Sequence, residues 1–355
     1  MAPITYEPQN YSTFVGIDVD KNSYAITIKD SIGLSISKKM PANPEHLHNH
    51  IKKQYGDREV IFAYEAGPTG FGLYDYLKAQ GQTCMVVSPL SIPKASNERV
   101  KNNRIDSEKI ADHLKSGQLR SVRVPQGDFR ELRHLIHVRE YQVQLRKAAK
   151  QRIKSLLLLT GMHDQFKDTE QNWSANYIRC LKEMCCSGSV RIRLDIYLTD
   201  LENSRKQTER VLKELRQFVQ QNDEIHKSIR CLESIPGIGF ITAVTLLGRI
   251  GSPQNLRNVR EISAFVGLVP REKSTGDNVN RGSITHLGNA ALRALLIECS
   301  WTAIRKDKEL AQFFHRIKNR HHPKIGSRKA IVAVARKLTQ RVYRVLKEQR
   351  KYQVR

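Results

Sequence analysis

No stretch of this 355-residue sequence is apolar for long enough to cross a bilayer, which argues against a helical membrane span. The opening residues, MAPITYEPQNYSTF, lack the basic-then-apolar order of a secretory signal. Both absences lead to the expectation of a chain that stays in the cytoplasm or nucleoid, with no membrane partner. Cysteine is sparse and unpatterned. Cys84, Cys180, Cys185, Cys186, Cys231 and Cys299 do not form the paired two-residue spacing of a zinc site, so they are expected to be buried thiols in a reducing compartment. Acidic side chains are in short supply as well. Only 35 Asp and Glu stand against 60 Lys and Arg, a formal charge of +25. A surface that one-sided attracts polyanions, of which nucleic acid is the commonest; the alternative is a basic surface that is merely solvated.

Hydrophobic residues make up 39 % of the chain, enough for a normal core, and the length suits two or three domains. The first part reads as α/β. Apolar runs Phe14–Asp18 and Tyr24–Ile28 predict strands, and a third short strand is expected from Leu34 to Ser37. Asn43 as N-cap with Pro44 behind it predicts a helix to Tyr55. Val60–Tyr64 reads as a buried strand ending at Glu65, Phe71–Gln80 as a helix closed by Gly81, and Cys84–Val87 as another buried strand. A basic loop then leads to a helix expected from Asp106 to Leu114. Three strands followed by alternating helix and strand is the element order of an RNase H-like domain, assigned to residues 1–126.

Residues 127–230 change to long helices. Leu135, Val138, Leu145, Ala149 and Leu156 share one face, and Leu194, Leu198, Leu201, Leu212, Leu215 and Val219 form a second stripe. An antiparallel coiled-coil hairpin is expected, its seams buried against each other or against a partner subunit. Residues 231–355 are read as a mostly helical third domain. It opens on a small-residue helix (Thr242–Leu247), followed by a helix around Ile262–Leu268 and a polar loop from Lys273 to Gly288. Two last helices are expected over 290–305 and 327–347.

Three carboxylates carry the candidate chemistry of the first domain. Asp18 stands in a strand, Glu65 ends another, where α/β sheets place their sites, and Asp106 begins a helix able to reach the same place. Converging carboxylates repel unless cations bind between them. Mg²⁺ or Mn²⁺ suits such hard oxygen ligands, and a pair of ions can clamp the attacking and leaving oxygens of a phosphodiester. Taken singly, Asp18 would be a strand end and Asp106 a helix cap. Glu108 and Asp112 lie nearby at the wrong offsets. Pro236-Gly237-Ile238-Gly239 reads either as the hairpin of a helix–hairpin–helix, its glycines letting backbone N–H groups approach a phosphate, or as a plain tight turn. Ser274 and Thr275, flanked by Arg271, Lys273 and Arg281, offer hydroxyls among cations. Lys94, Arg99 and Lys101, with a C-terminal series from Arg316 to Lys329, are candidate backbone contacts. Phe313, Phe314, His315, His321 and His322 either stack on bases or divide into core and surface.

GIDVDK, YEAGPTG, VVSPLSIPKAS, RVKNNRIDSEKIAD, ESIPGIGFITAVTLLGRIG, ISAFVGLVPREKSTGD and GNAALRALL together resemble the DEDD transposases of bacterial insertion sequences, over nearly the whole chain. These are bridge-RNA-guided recombinases with a RuvC-like N-terminal domain and a C-terminal transposase domain. The resemblance implies metal ligation by Asp18, Glu65 and Asp106. It also implies a serine nucleophile in the C-terminal loop, and a composite site formed between subunits. The implied partners are donor and target DNA and a noncoding guide RNA, acted on by a homodimer that assembles to a tetramer. Where the family pattern has a further aspartate, three residues before Asp106, this chain has Asn103, which keeps a metal-binding carbonyl oxygen and lacks the charge. Ser274 fits the nucleophile best, with Thr275 adjacent and Ser283 a third choice. Two other functions remain open at this point. One is a Holliday-junction nuclease that uses the carboxylates alone, and the other is a nucleic-acid-binding protein whose site has lost a charge at Asn103. A sugar-kinase or actin-like ATPase is disfavoured, because Asp20-Lys21 occupy the place of its glycine-rich phosphate turn.

Overall fold

The computed structural model describes residues 6–56, 58–89, 92, 102–163, 173–272, 281–285 and 287–353. They fall into two compact units that divide between Pro125 and Gln126. Among the described residues no helix is long and apolar enough to cross a membrane.

The first unit is built on a five-stranded sheet: β1 (Thr13–Val19), β2 (Ser23–Asp30), β3 (Ser35–Pro41), β4 (Val60–Glu65) and β5 (Thr83–Val87), in the order β3-β2-β1-β4-β5. β1 runs antiparallel to β2 and parallel to β4; β2 and β3 are antiparallel, β4 and β5 parallel. The hairpin between β2 and β3 turns on Asp30, whose carboxylate accepts the N–H groups of Ile32, Gly33 and Leu34 at 2.8–3.1 Å and is held below the usual carboxylate range, first by the bond from Leu34. β3 runs further than its apolar content suggested, to Pro41. It is an edge strand and needs one covered face only, so Lys38 and Lys39 are tolerated within it.

Two helices cover one face of the sheet. α1 (Pro44–Tyr55) is capped by Asn43, whose side chain accepts from His46 N, as its sequence predicts, and α2 is Gly72–Ala79. Leu47, Ile51, Leu73 and Leu77 pack there on Val15, Ile17, Ile26, Phe62 and Tyr64. The other face carries α3 (Asn103–Lys115), which lays Ile110 and Leu114 on Phe14, Ile61, Ala63, Met85 and Val87. Alternation along the strands makes this division sharp, with odd-numbered β1 residues on one face and even-numbered ones on the other.

α3 begins three residues before the expected start. The Asn102 side chain accepts from Arg104 N at 3.1 Å and so caps the helix, which makes Asn103 its first residue and puts Asp106 inside the first turn.

Among its described residues the second unit is helical apart from one two-stranded ribbon. α4 (Asp128–Leu159) and α6 (Gly188–Gln221) form a long pair, with α5 (Ala175–Glu183) near its end. α7 (Asp223–Glu233), α8 (Phe240–Ile250), α9 (Val259–Val266), α10 (Ala290–Lys306), α11 (Lys308–Lys318) and α12 (Pro323–Glu348) follow. One apolar core joins Leu132 and Ile136 of α4 and Leu215 and Val219 of α6 to α7–α12; a second, around Ile153, Leu157, Tyr177, Leu194 and Leu198, closes the far end of the pair. Val138 and Leu145, expected in the buried seam, are exposed at 45 % and 39 %. A three-and-four spacing fits two faces of a 32-residue helix, and the buried one is carried by Leu132, Ile136, Ala149, Ile153 and Leu156. The stretch expected as loop from Lys273 to Gly288 contains a strand: β6 (Pro270–Glu272) pairs antiparallel with β7 (Arg281–Ile284). The sequence also concealed α11, started by Asp307, whose carboxylate accepts from Leu310 N at 2.9 Å and from Arg341 Nη1 at 2.7 Å.

The cysteines are not uniformly buried. Cys84, Cys231 and Cys299 are, but Cys180, within α5, is half-exposed, and Cys185 and Cys186 lie in the short connection between α5 and α6, the first exposed and the second half-exposed.

Candidate active site

Asp18 and Glu65 become neighbours through strand register. The last paired positions of the parallel strands β1 and β4 are Ile17 and Tyr64, so the next residue on each strand sets Asp18 beside Glu65, with backbones about 4.8 Å apart. Both lie at the carboxyl ends of parallel strands, and both face the side that carries α3. Asp18 is half-buried and Glu65 exposed.

α3 carries the other two candidates, and its packing along β1 sets the level of its first turn. Phe14 packs with Ile110 and Leu114, and a Cβ on Gly16 would stand 2.3 Å from the Ser107 carbonyl oxygen and 2.4 Å from the Ala111 nitrogen. Moving up β1 therefore means moving toward the N-terminus of α3, and two residues beyond Gly16 the strand reaches Asp18 as the helix reaches its first turn. Asn103 and Asp106, three apart, lie on one face of that turn. Asp106 Oδ1 is 4.0 Å from Lys109 Nζ. Thr27 Oγ1 lies 2.9 Å from Ser107 Oγ and 3.0 Å from Ser37 Oγ, a chain of hydroxyls that fixes α3 to β2 and β3. Glu108 and Asp112 are occupied elsewhere, at 3.5 and 2.5 Å from Lys29 Nζ.

Among the described residues no three acidic, histidine or cysteine side chains are grouped so as to hold a metal ion. The register sets Asp18 and Glu65 on adjacent strands, while the Asp106 carboxylate has Lys109 within 4.0 Å on its own helix. The donor chemistry nevertheless fits a hard divalent cation: carboxylates on β1, β4 and α3 and the Asn103 carboxamide offer only oxygen, and two adjacent carboxylates favour a cation between them.

The remaining candidates lie elsewhere or outside the described residues. Lys94, Arg99, Lys101, Lys273, Ser274 and Thr275 fall outside them. Arg271 is exposed on β6, Ser283 is exposed on β7, and the backbone of Arg281 is in register with that of Glu272 across the ribbon. In the turn between α7 and α8, Gly237 has φ +92° and lies flat on α10, where a Cβ would come within 2.6 Å of the Cys299 carbonyl oxygen. Packing alone therefore accounts for that glycine. Gly239 starts α8 without a side-chain cap. In the C-terminal helices Arg316, Arg320, Lys324, Arg328 and Lys329 are exposed, Phe314 is core, and Phe313 lies under Arg316 and Lys337.

Residues 15–162 match the family model for the DEDD domain of IS110 elements, described as "Transposase", and residues 229–316 match the one described as "Transposase IS116/IS110/IS902 family". A Sinorhizobium fredii protein named as transposase y4qE is 31 % identical over 320 residues, 89 % of this chain and 74 % of that protein. The transposase for insertion sequence element IS1111A of Coxiella burnetii is 24 % identical over 349 residues, 95 % of this chain and 90 % of its own. A Moraxella bovis protein named pilin gene-inverting protein is 26 % identical over 138 residues, 38 % of this chain and 42 % of its own. On these matches the chain belongs to the IS116/IS110/IS902 family of transposases, enzymes that cut and rejoin DNA.

Proposed function

We propose that this transposase exchanges DNA strands at the ends of an insertion sequence, using a divalent-metal carboxylate site in its first unit and a serine nucleophile in its second. The observation that carries the reading is the register of β1 and β4, which sets Asp18 beside Glu65 beneath the first turn of α3. The sheet order, three antiparallel strands followed by two parallel ones, supports an RNase H-like, RuvC-like domain. Asp18, Glu65 and Asp106, with Asn103 giving a neutral oxygen, would hold Mg²⁺ or Mn²⁺, which supplies charge stabilisation at a phosphodiester. In that site Asp18 and Glu65 position the ligand oxygens from a rigid sheet, and α3 limits the approach to one side. Ser274 is the proposed nucleophile. Its Oγ forms an ester with phosphorus as the bond to the leaving strand end breaks, and the hydroxyl proton passes to the leaving oxygen, so the phosphoester is kept for rejoining. A noncoding RNA from the same element is the proposed guide to donor and target DNA.

The test is a trap for a covalent protein–DNA adduct. The full chain is mixed with DNA from the ends of its own element, RNA transcribed from that element and Mg²⁺, and the modified peptide is mapped by mass spectrometry. An adduct on Ser274, absent in Ser274→Ala, is the expected result. Cleavage without an adduct would overturn the serine step and leave a nuclease.

A homodimer is part of the proposal. Val138, Tyr141 and Leu145 recur at steps of three and four on α4 and are exposed at 45 %, 61 % and 39 %, the pattern of a seam awaiting a second helix. Val138→Glu with Leu145→Glu is expected to lower the mass found by light scattering to the single-chain 40.7 kDa; an unchanged dimer would place the interface elsewhere.

A further inference from the structure

One row of residues crosses the α3 face of the sheet at the level of the candidate site. Asp18 pairs with Ala25, and Ala25 pairs with Lys39, so the row reads Lys39, Ala25, Asp18, Glu65 from the β3 edge inward. The methyl group of Ala25 leaves room between the two charged neighbours. A cleft occupies that room, floored by Ala25 and walled by Ser37 and Lys39 of β3 on one side and Asn102, Asn103 and Arg104 at the start of α3 on the other. None of its described lining residues is acidic, although it adjoins the carboxylates. Lys39 and Arg104 are exposed. The hydroxyl chain Ser37–Thr27–Ser107 holds the two walls at a fixed separation.

We propose that this cleft is the track for the DNA strand that enters the carboxylate site, with Lys39 and Arg104 holding the phosphates on one side of the scissile phosphodiester. Three features point to a phosphodiester chain rather than a small anion. The cleft is open, its floor residue Ala25 is the strand neighbour of Asp18, and Lys39 and Arg104 stand on opposite walls, so a strand is gripped from both sides. The N-terminal end of α3 adds its favourable dipole to the Arg104 wall. A carboxylate pair repels the backbone it must cut, and flanking cations offset that repulsion without touching the reacting phosphorus. Lys39 and Arg104 are thus positioning residues. The proposal rests on the carboxylate-site reading and adds two residues to it.

The test uses the full chain and a fluorescein-labelled DNA strand from the element's end, with single methylphosphonates placed at successive positions around the cut. Lys39→Ala and Arg104→Ala are each expected to weaken binding about tenfold at low salt. Each should also flatten the slope of log affinity against log salt by about 0.7–0.9. In each variant one methylphosphonate position beside the cut loses its effect, and Lys39→Arg restores it. Unchanged affinity and slope in both alanine variants would overturn the cleft assignment. A changed slope with RNA from the element, and none with DNA, would overturn the choice of DNA. Asp18→Asn separates the two readings: if it cuts normally, the carboxylate reading fails, whereas its loss of cutting beside unaffected Lys39→Ala and Arg104→Ala sinks the cleft alone.

Discussion

Asp18→Asn is expected to slow DNA cutting by about a thousandfold or more while leaving DNA binding intact and making the first unit slightly more stable. Loss of a carboxylate that organises a divalent ion removes several kcal/mol of transition-state stabilisation, roughly 4 kcal/mol for a thousandfold change. The stability effect has the opposite sign. Asp18 and Glu65 stand on adjacent strands on one face, and like charges at such positions destabilise a sheet by up to about 1 kcal/mol. The amide keeps the shape of the side chain and removes the charge repulsion between the two. Without divalent ions the variant should therefore melt slightly above the parent. Mg²⁺ should raise the melting temperature of the parent, because an ion bound only to the folded chain stabilises it by mass action, and should raise that of Asp18→Asn much less. Thermal melts with and without Mg²⁺ read this without any activity assay. A variant that cuts at the parental rate, or a parent indifferent to Mg²⁺, would remove Asp18 from the site.

Much of this site can be read in the sequence, and the parts that cannot have definite physical causes. Apolar runs ending in Asp18 and Glu65 mark two buried strands with a carboxylate at the end of each, and the Asn43-Pro44 pair marks the start of α1 because both act within one turn of chain. The start of α3 is not legible because Asn102 and Asp106 are both competent caps, and only the folded chain selects the first. Lys39 carries no local sign because its place in the row of Asp18 depends on register across three strands. β7 reads as loop because Gly282 and Ser283 favour turns, and its partner β6 is only three residues long. Val138 and Leu145 cannot be told from the buried stripe by period, because a 32-residue helix can carry two apolar stripes of the same spacing.

Gly16 opens the GIDVDK motif, but its close approach to α3 is not legible in the sequence, and it supports the second large expectation. Gly16→Ala is expected to destabilise the first unit by roughly 3 kcal/mol, at the upper end of what overpacking costs. The added methyl would meet the Ser107 carbonyl oxygen at 2.3 Å and the Ala111 nitrogen at 2.4 Å. Both are backbone atoms inside a helix, so no rotamer change relieves the contact and α3 must lift as a body. Ala111→Gly removes only the side-chain contact, at 2.9 Å, so the double variant should be about as unstable as Gly16→Ala alone. As α3 lifts, the Thr27–Ser107 hydroxyl contact is stretched and Asn103 and Asp106 are drawn away from Asp18 and Glu65. Stability and cutting should therefore fall together, in contrast to Asp18→Asn, where they part. Because the chain has two units, a single global unfolding energy would blend them. Hydrogen exchange read separately over α3 and β1 is the appropriate measurement. Faster exchange in both elements, with the helices of the second unit unchanged, is the expected pattern. Parental protection in Gly16→Ala would mean that α3 does not rest on β1 at this glycine, and the placement of Asn103 and Asp106 over the carboxylate pair would fall with it.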